Sequence, residues 1–114
     1  TDLEDIVLAH KALELALDKA PHDVHLLNDY AVLSLALELR DKAEYHLELA
    51  SALLEDYDPR LKPILYNQAL MRRGGEDPEE ELEWLHRYLR VEGVDFWSIP
   101  MIARRDALSS PLRP

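Results

Sequence analysis

Ala43-Glu44-Tyr45-His46-Leu47-Glu48-Leu49-Ala50 repeats, 34 residues on, the spacing of Ala9-His10-Lys11-Ala12-Leu13-Glu14-Leu15-Ala16. In both stretches two alanines stand seven apart, with a leucine four after the first. A looser echo follows at Leu82, Leu85 and Leu89. Positions four and seven apart share one side of an α-helix, so the cadence marks a helix face. A small residue on that face lets a second helix approach at the short end of the usual interaxial range. A 34-residue recurrence is also the length of a unit made of two helices, and such units stack to offer a surface rather than a catalytic pocket.

The punctuation around these stretches predicts five helices. The first covers 2–19, with Asp2 as its cap and Lys19 before the stop at Pro21. Asp23 caps a second helix reaching about Leu39, and Asp41 a third reaching about Asp56, where Asp56-Tyr57-Asp58-Pro59 breaks it. A fourth runs from about Arg60 to Gly74-Gly75. Asp77-Pro78 followed by Glu79, Glu80 and Glu81 opens a fifth that reaches Val91, with cap, first-turn proline and acids that complement the helix dipole. No segment alternates with period two, so the expected fold class is all-α, with short connections making successive helices antiparallel neighbours.

The 114 residues fit one domain with a core. No apolar run is long enough to span a bilayer, so no membrane partner is expected. No signal peptide is visible, and the absence of cysteine fits a reducing, cytoplasmic setting and removes thiolate metal sites. The missing initial Met and the ending Pro111-Leu112-Arg113-Pro114 suggest a piece of a longer chain. Net charge is −10 and uneven: residues 1–59 hold 14 acids and 4 bases, whereas 60–114 hold 9 of each. That field repels phosphate backbones, which argues against nucleic acid, and it favours a basic peptide or protein surface. An acidic face that only keeps the chain dissolved is the alternative.

Beyond the cadence, the chain resembles the tetratricopeptide repeat family. In that family a large residue on the first helix precedes a small one by four. Twelve further on, the second helix carries a small, a large and a small residue. Here one unit reads Leu27, Ala31, Ala43, Leu47, Ala50 and the next Leu65, Ala69, Glu81, Leu85, Tyr88. The step from Ala43 to Glu81 is 38 residues, which one extra helical turn before Pro59 would absorb. Glu81 and Tyr88 stand where small residues are usual, which suggests a splayed or terminal last helix. The resemblance implies the closing end of an α-solenoid: helical repeats over 1–93 (a lone helix 2–19, then pairs 23–56 and 60–91), with a capping segment and tail over 94–114. Phe96 to Ile102 is the expected cap, with Trp97 packing near Trp84 or Leu85; Trp97 as an interface anchor is the competing reading. The basic tail could dock on the acidic first half.

The family's groove positions map onto His25, Asn28, Asp29, Val32 and Leu35 of the second helix and Tyr66, Asn67, Leu70 and Arg73 of the fourth. Such a groove, apolar at its floor and polar at its rim, suits an amphipathic helix or an extended peptide. The chain's own tail is the other candidate to fill it. The second helix, apolar nearly all round between Val24 and Leu39, is expected to be covered on nearly every side. Arg73 and Lys62 are too few bases for a carboxylate clamp.

Catalysis is not expected. Among the five histidines, His22 and His25 have a metal-like spacing but no third ligand, and this pair reads as surface residues. The run Glu79-Glu80-Glu81-Glu83 reads as a dipole-complementing turn. No phosphate loop follows Gly74-Gly75, and no serine, Ser34 included, sits in a nucleophile elbow. The expectation is a non-catalytic protein-interaction scaffold without cofactor or metal. Two alternatives stay open: the recruiting arm of a larger enzyme, and a homo-oligomer formed by edge-to-edge stacking.

Overall fold

The structure, a computed structural model, describes residues 1–73, 75–91 and 98–109. Among these the chain is entirely helical: α1 (Asp2–Lys19), α2 (Val24–Ala36), α3 (Arg40–Ala52), α4 (Leu61–Arg72), α5 (Pro78–Arg90) and α6 (Ser98–Ser109). The chain forms two compact units, Thr1–Leu54 and Glu55–Pro114. In the first, α2 packs on both α1 and α3; in the second, α5 packs on both α4 and α6.

Most helix starts follow the sequence signals. Asp23 accepts from the His25 and Leu26 N–H groups at 3.0 and 3.2 Å, and Asp77 accepts from the Glu79 N–H at 3.0 Å, ahead of Pro78. Two expected caps are corrected. Thr1, not Asp2, caps α1: its hydroxyl accepts from the Glu4 N–H while the Glu4 carboxylate reaches back to the Thr1 amine. Asp41 is a first-turn acid of α3, whose N-cap is Leu39 with no side-chain bond. The reason lies one residue earlier. Glu38 adopts a left-handed φ of 61°, and the chain turns there so tightly that the Leu39 N–H bonds the Ser34 carbonyl at 2.8 Å. Helix two therefore ends at Ala36 rather than Leu39. Helix three ends at Ala52, before the expected Asp56. At the start of α4, Asp58 accepts from the Arg60 backbone and guanidinium, which hold its carboxyl below the usual carboxylate range.

All ten repeat positions of the two helix pairs are buried: Leu27, Ala31, Ala43, Leu47 and Ala50 in the first unit, Leu65, Ala69, Glu81, Leu85 and Tyr88 in the second. Ala31, Ala43, Ala50 and Ser34 are wholly inaccessible, as small side chains at a close crossing of α2 and α3 require. The α1 echo differs. Ala9 is exposed and Leu13 and Ala16 are half-buried, because among the described helices α2 alone packs on this one. Helix two is not covered all round either: Val32 and Ala36 face solvent. The last pair keeps Glu81 and Tyr88 buried at the positions usually small. Residues 98–102 of the expected capping segment belong to a sixth helix, α6, which packs on α5 and buries Ser98, Met101 and Leu108. The expected contacts of Phe96 and Trp97 lie outside the described residues.

Ala50→Leu should overpack the α2–α3 crossing and cost about 1–3 kcal/mol. Thermal unfolding followed by circular dichroism checks this, and an unchanged midpoint would contradict the crossing.

Candidate interaction site

With 3.6 residues per turn, the second helix divides into two arcs. Val24, Leu27, Tyr30, Ala31 and Ser34 turn inward, while His25, Asn28, Asp29 and Val32 share the opposite side. His25, Asp29 and Val32 are exposed and Asn28 is half-buried. Leu35 lies half-buried at the edge of this stripe.

The fourth helix divides in the same way. Its inward arc carries Leu61, Ile64, Leu65, Gln68, Ala69 and Arg72, and its outward arc Pro63, Tyr66, Asn67 and Leu70. Tyr66 and Asn67 are half-buried, Leu70 is exposed, and Arg73 extends the stripe as the exposed C-cap. The Tyr66 ring lies 6.3 Å from the Tyr88 ring, which steadies it from the α5 side. Four of the five residues predicted on α2 thus share one face, and the four predicted on and after α4 share another.

Lys62, considered as a clamp residue, is buried with its ammonium 4.5 Å from the centre of the Tyr88 ring. Its charge is engaged by an aromatic face, so Arg73 is the exposed base of this stripe.

Beneath the surface of the first unit lies a polar cluster that the sequence did not reveal. His10 is the buried residue of α1, and its Nε2 shares a 2.9 Å hydrogen bond with the hydroxyl of the inaccessible Ser34. The His10 ring stacks on Tyr30 at 4.2 Å, and Tyr30 meets His46 at 4.5 Å. The Tyr30 hydroxyl donates to Glu14 at 3.2 Å. Burial first, and the Lys42 charge second, hold the His10 imidazole below its ordinary value of 6.5, against a smaller opposing pull from Glu14. Burial and Glu14 push the Tyr30 hydroxyl up. Although serine and histidine touch here, Ser34 is sealed from any substrate, so the pair is a satisfied buried hydrogen bond rather than a nucleophile.

In the second unit Glu81 is not a solvated first-turn acid. It is 2% exposed and accepts two bonds from Arg104 of α6, at 2.7 and 2.9 Å. The carboxylate raises the Arg104 pKa. Arg104, part of the basic tail expected to dock on the acidic first half, instead pairs with Glu81 inside its own unit. Arg72 donates to Glu80 at 2.7 Å and to the Gln68 side chain at 2.5 Å. Arg72 and Arg87 both lie against the Trp84 ring, at 4.8 and 4.4 Å from its centre. A recess of about 310 Å³ opens beside this cluster, lined by Asp56, Leu61, Leu65, Glu83, Arg87 and Arg90. Nothing in the spacing of these residues announced it. Among the described residues no three His, Asp or Glu side chains are grouped to hold a metal ion, and no helix is long and apolar enough to cross a membrane.

Arg104→Ala should cost about 3–5 kcal/mol, since it strands a buried carboxylate, whereas Arg105→Ala, removing an exposed pair with Asp106, should be near neutral. Equal midpoints in urea for the two variants would contradict the Glu81 assignment. For His10 the folded pKa is depressed, so the unfolded chain takes up the proton more readily. Stability is then full above pH 6.5 and declines as pH falls below it towards the folded value. The slope of the melting midpoint against pH checks this, and His10→Gln should flatten it.

Comparison of the chain with protein-family models, with curated proteins and with solved structures finds no match.

Proposed function

We propose that the chain is a non-catalytic protein-interaction module of tetratricopeptide-like, α-solenoid build. Each unit offers one face to a peptide or amphipathic helix: the outward face of α2 in the first and that of α4 in the second. The observation that carries this reading is the composition of those faces. Val32 and Leu70 keep 42% and 37% of their surface exposed, each framed by polar residues: His25, Asn28 and Asp29 around the first, Asn67 and Arg73 with Tyr66 around the second. Apolar anchors with a polar frame are what a helix or extended peptide needs for affinity and for register.

The burial of all ten repeat positions supports the tetratricopeptide-like build, because that pattern assigns these positions to the contacts within helix pairs. The partner's charge follows from the excess of 14 acids over 4 bases in residues 1–59, which favours a basic or amphipathic segment and draws it in faster at low salt.

Selection from a random peptide display library should return sequences with apolar residues at helical spacing and basic flanks. Val32→Glu and Leu70→Glu should each weaken the selected peptides by tenfold or more, on the order of 1.4 kcal/mol, with helicity unchanged. Binders indifferent to both substitutions would refute the assignment of the site.

A further inference from the structure

Helix α1 has a second face. Ile6, His10, Leu13 and Leu17 are buried or half-buried on the side towards α2, whereas Leu8 and Leu15 stand 65% and 67% exposed on the other side. Ala12 lies exposed between them, and Glu4, Lys11 and Lys19 surround them, all exposed. Leu8 and Leu15 are two turns apart, so they lie above one another on one side of the helix, about 10.5 Å apart along its axis. Leu3 and Val7 continue the apolar surface next to Leu8 in a shallow recess whose rim is Glu4.

The order of residues on this face is palindromic in character and opposite in charge. From the N-terminal end it reads Glu4, Leu8, Leu15, Lys19. Both the leucine pair and the charged pair are centred on the same point, midway between Lys11 and Ala12. At about 100° per residue, all four side chains lie within about 30° of the line through that point. An isologous interface demands this arrangement, because residue i must meet residue j while j meets i. An unrelated partner, or another segment packed here, would cover the leucines without requiring the symmetry.

We propose that two copies of this chain pair through antiparallel α1 helices across a two-fold axis. Leu8 of one copy lies on Leu15 of the other, and Glu4 faces Lys19, each contact occurring twice. Antiparallel helix dipoles add to the attraction. The Glu4 carboxylate holds the Thr1 amine at 3.2 Å through one oxygen, and its side chain is 76% exposed, so the other oxygen is accessible to a lysine. A contact between two single helices is small beside the roughly 1,200 Å² of a standard stable interface, so the pairing is weak and sensitive to salt. This interface does not rest on the peptide-binding reading, since it uses neither α2 nor α4.

Sedimentation equilibrium of the full chain, from micromolar to millimolar concentration at low and high salt, tests it. The expected result is a monomer–dimer equilibrium that weakens with salt and disappears in Leu8→Asp. Glu4→Lys and Lys19→Glu should each weaken pairing by about tenfold, because each turns two opposite-charge contacts into two like-charge ones. The double reversal E4K/K19E should restore it, which a mere loss of the α1 cap would not allow. Val32→Glu and Leu70→Glu should leave the dimer unchanged, so this proposal and the peptide site fail separately. A monomer at every concentration, a dimer indifferent to Leu8→Asp, or a double reversal no better than the single ones would overturn the proposal.

Discussion

Close approach of α2 and α3 is the constraint on which the first unit depends. Ala31, Ser34, Ala43 and Ala50 are fully inaccessible, and no larger residue fits where they stand without moving a helix. Once the crossing is set, Leu27 and Leu47 fill the space beside it, and Ser34 is fixed where His10 of α1 can reach its hydroxyl. The position of α1 thus follows from the crossing through one buried hydrogen bond and a stacked ring. The outward arc of α2 is a consequence too. A helix that turns Leu27, Tyr30, Ala31 and Ser34 inward leaves His25, Asp29 and Val32 in solvent.

The second unit solves the same packing problem with other chemistry. Where the first unit has Ala43 and Ala50, this one has Glu81 and Tyr88, both buried. A carboxylate in that place is tolerable only when its charge is met, and Arg104 meets it with two short bonds. Tyr88 takes the Lys62 ammonium of α4 over its ring and lies near the Tyr66 ring of the same helix. These larger residues take Arg104 of α6 and Lys62 of α4 as partners. That is why residues 98–109 are part of the fold rather than a loose tail.

Helix positions were legible in the sequence because they depend on local chemistry. Asp23, Asp77 and Pro78 act within one turn of themselves, and the leucine–alanine spacing reports faces whatever the partner. That His25, Asn28, Asp29 and Val32 share one side of α2, and Tyr66, Asn67 and Leu70 one side of α4, was legible for the same reason, since a face is a property of one helix. Interactions across a long stretch of chain were not legible. Glu81 and Arg104 are 23 residues apart, and His10 and Ser34 are 24 apart, so no periodicity links them. Without its partner Glu81 reads as an ordinary first-turn acid, and nothing local to His10 marks it as buried. The early end of α2 was hidden because a glutamate, not a glycine, takes the left-handed turn at Glu38.

The central claim is the proposal that the outward face of α2 and the outward face of α4 each bind a peptide or helical partner. Backbone amide shifts of the labelled chain, followed by NMR during titration with a selected peptide, test this most directly. The account predicts that the largest shifts fall on His25, Asn28, Asp29, Val32, Tyr66, Asn67, Leu70 and Arg73, with α1 unmoved. Shifts concentrated on α1, or on the recess lined by Asp56, Glu83 and Arg90, would contradict it.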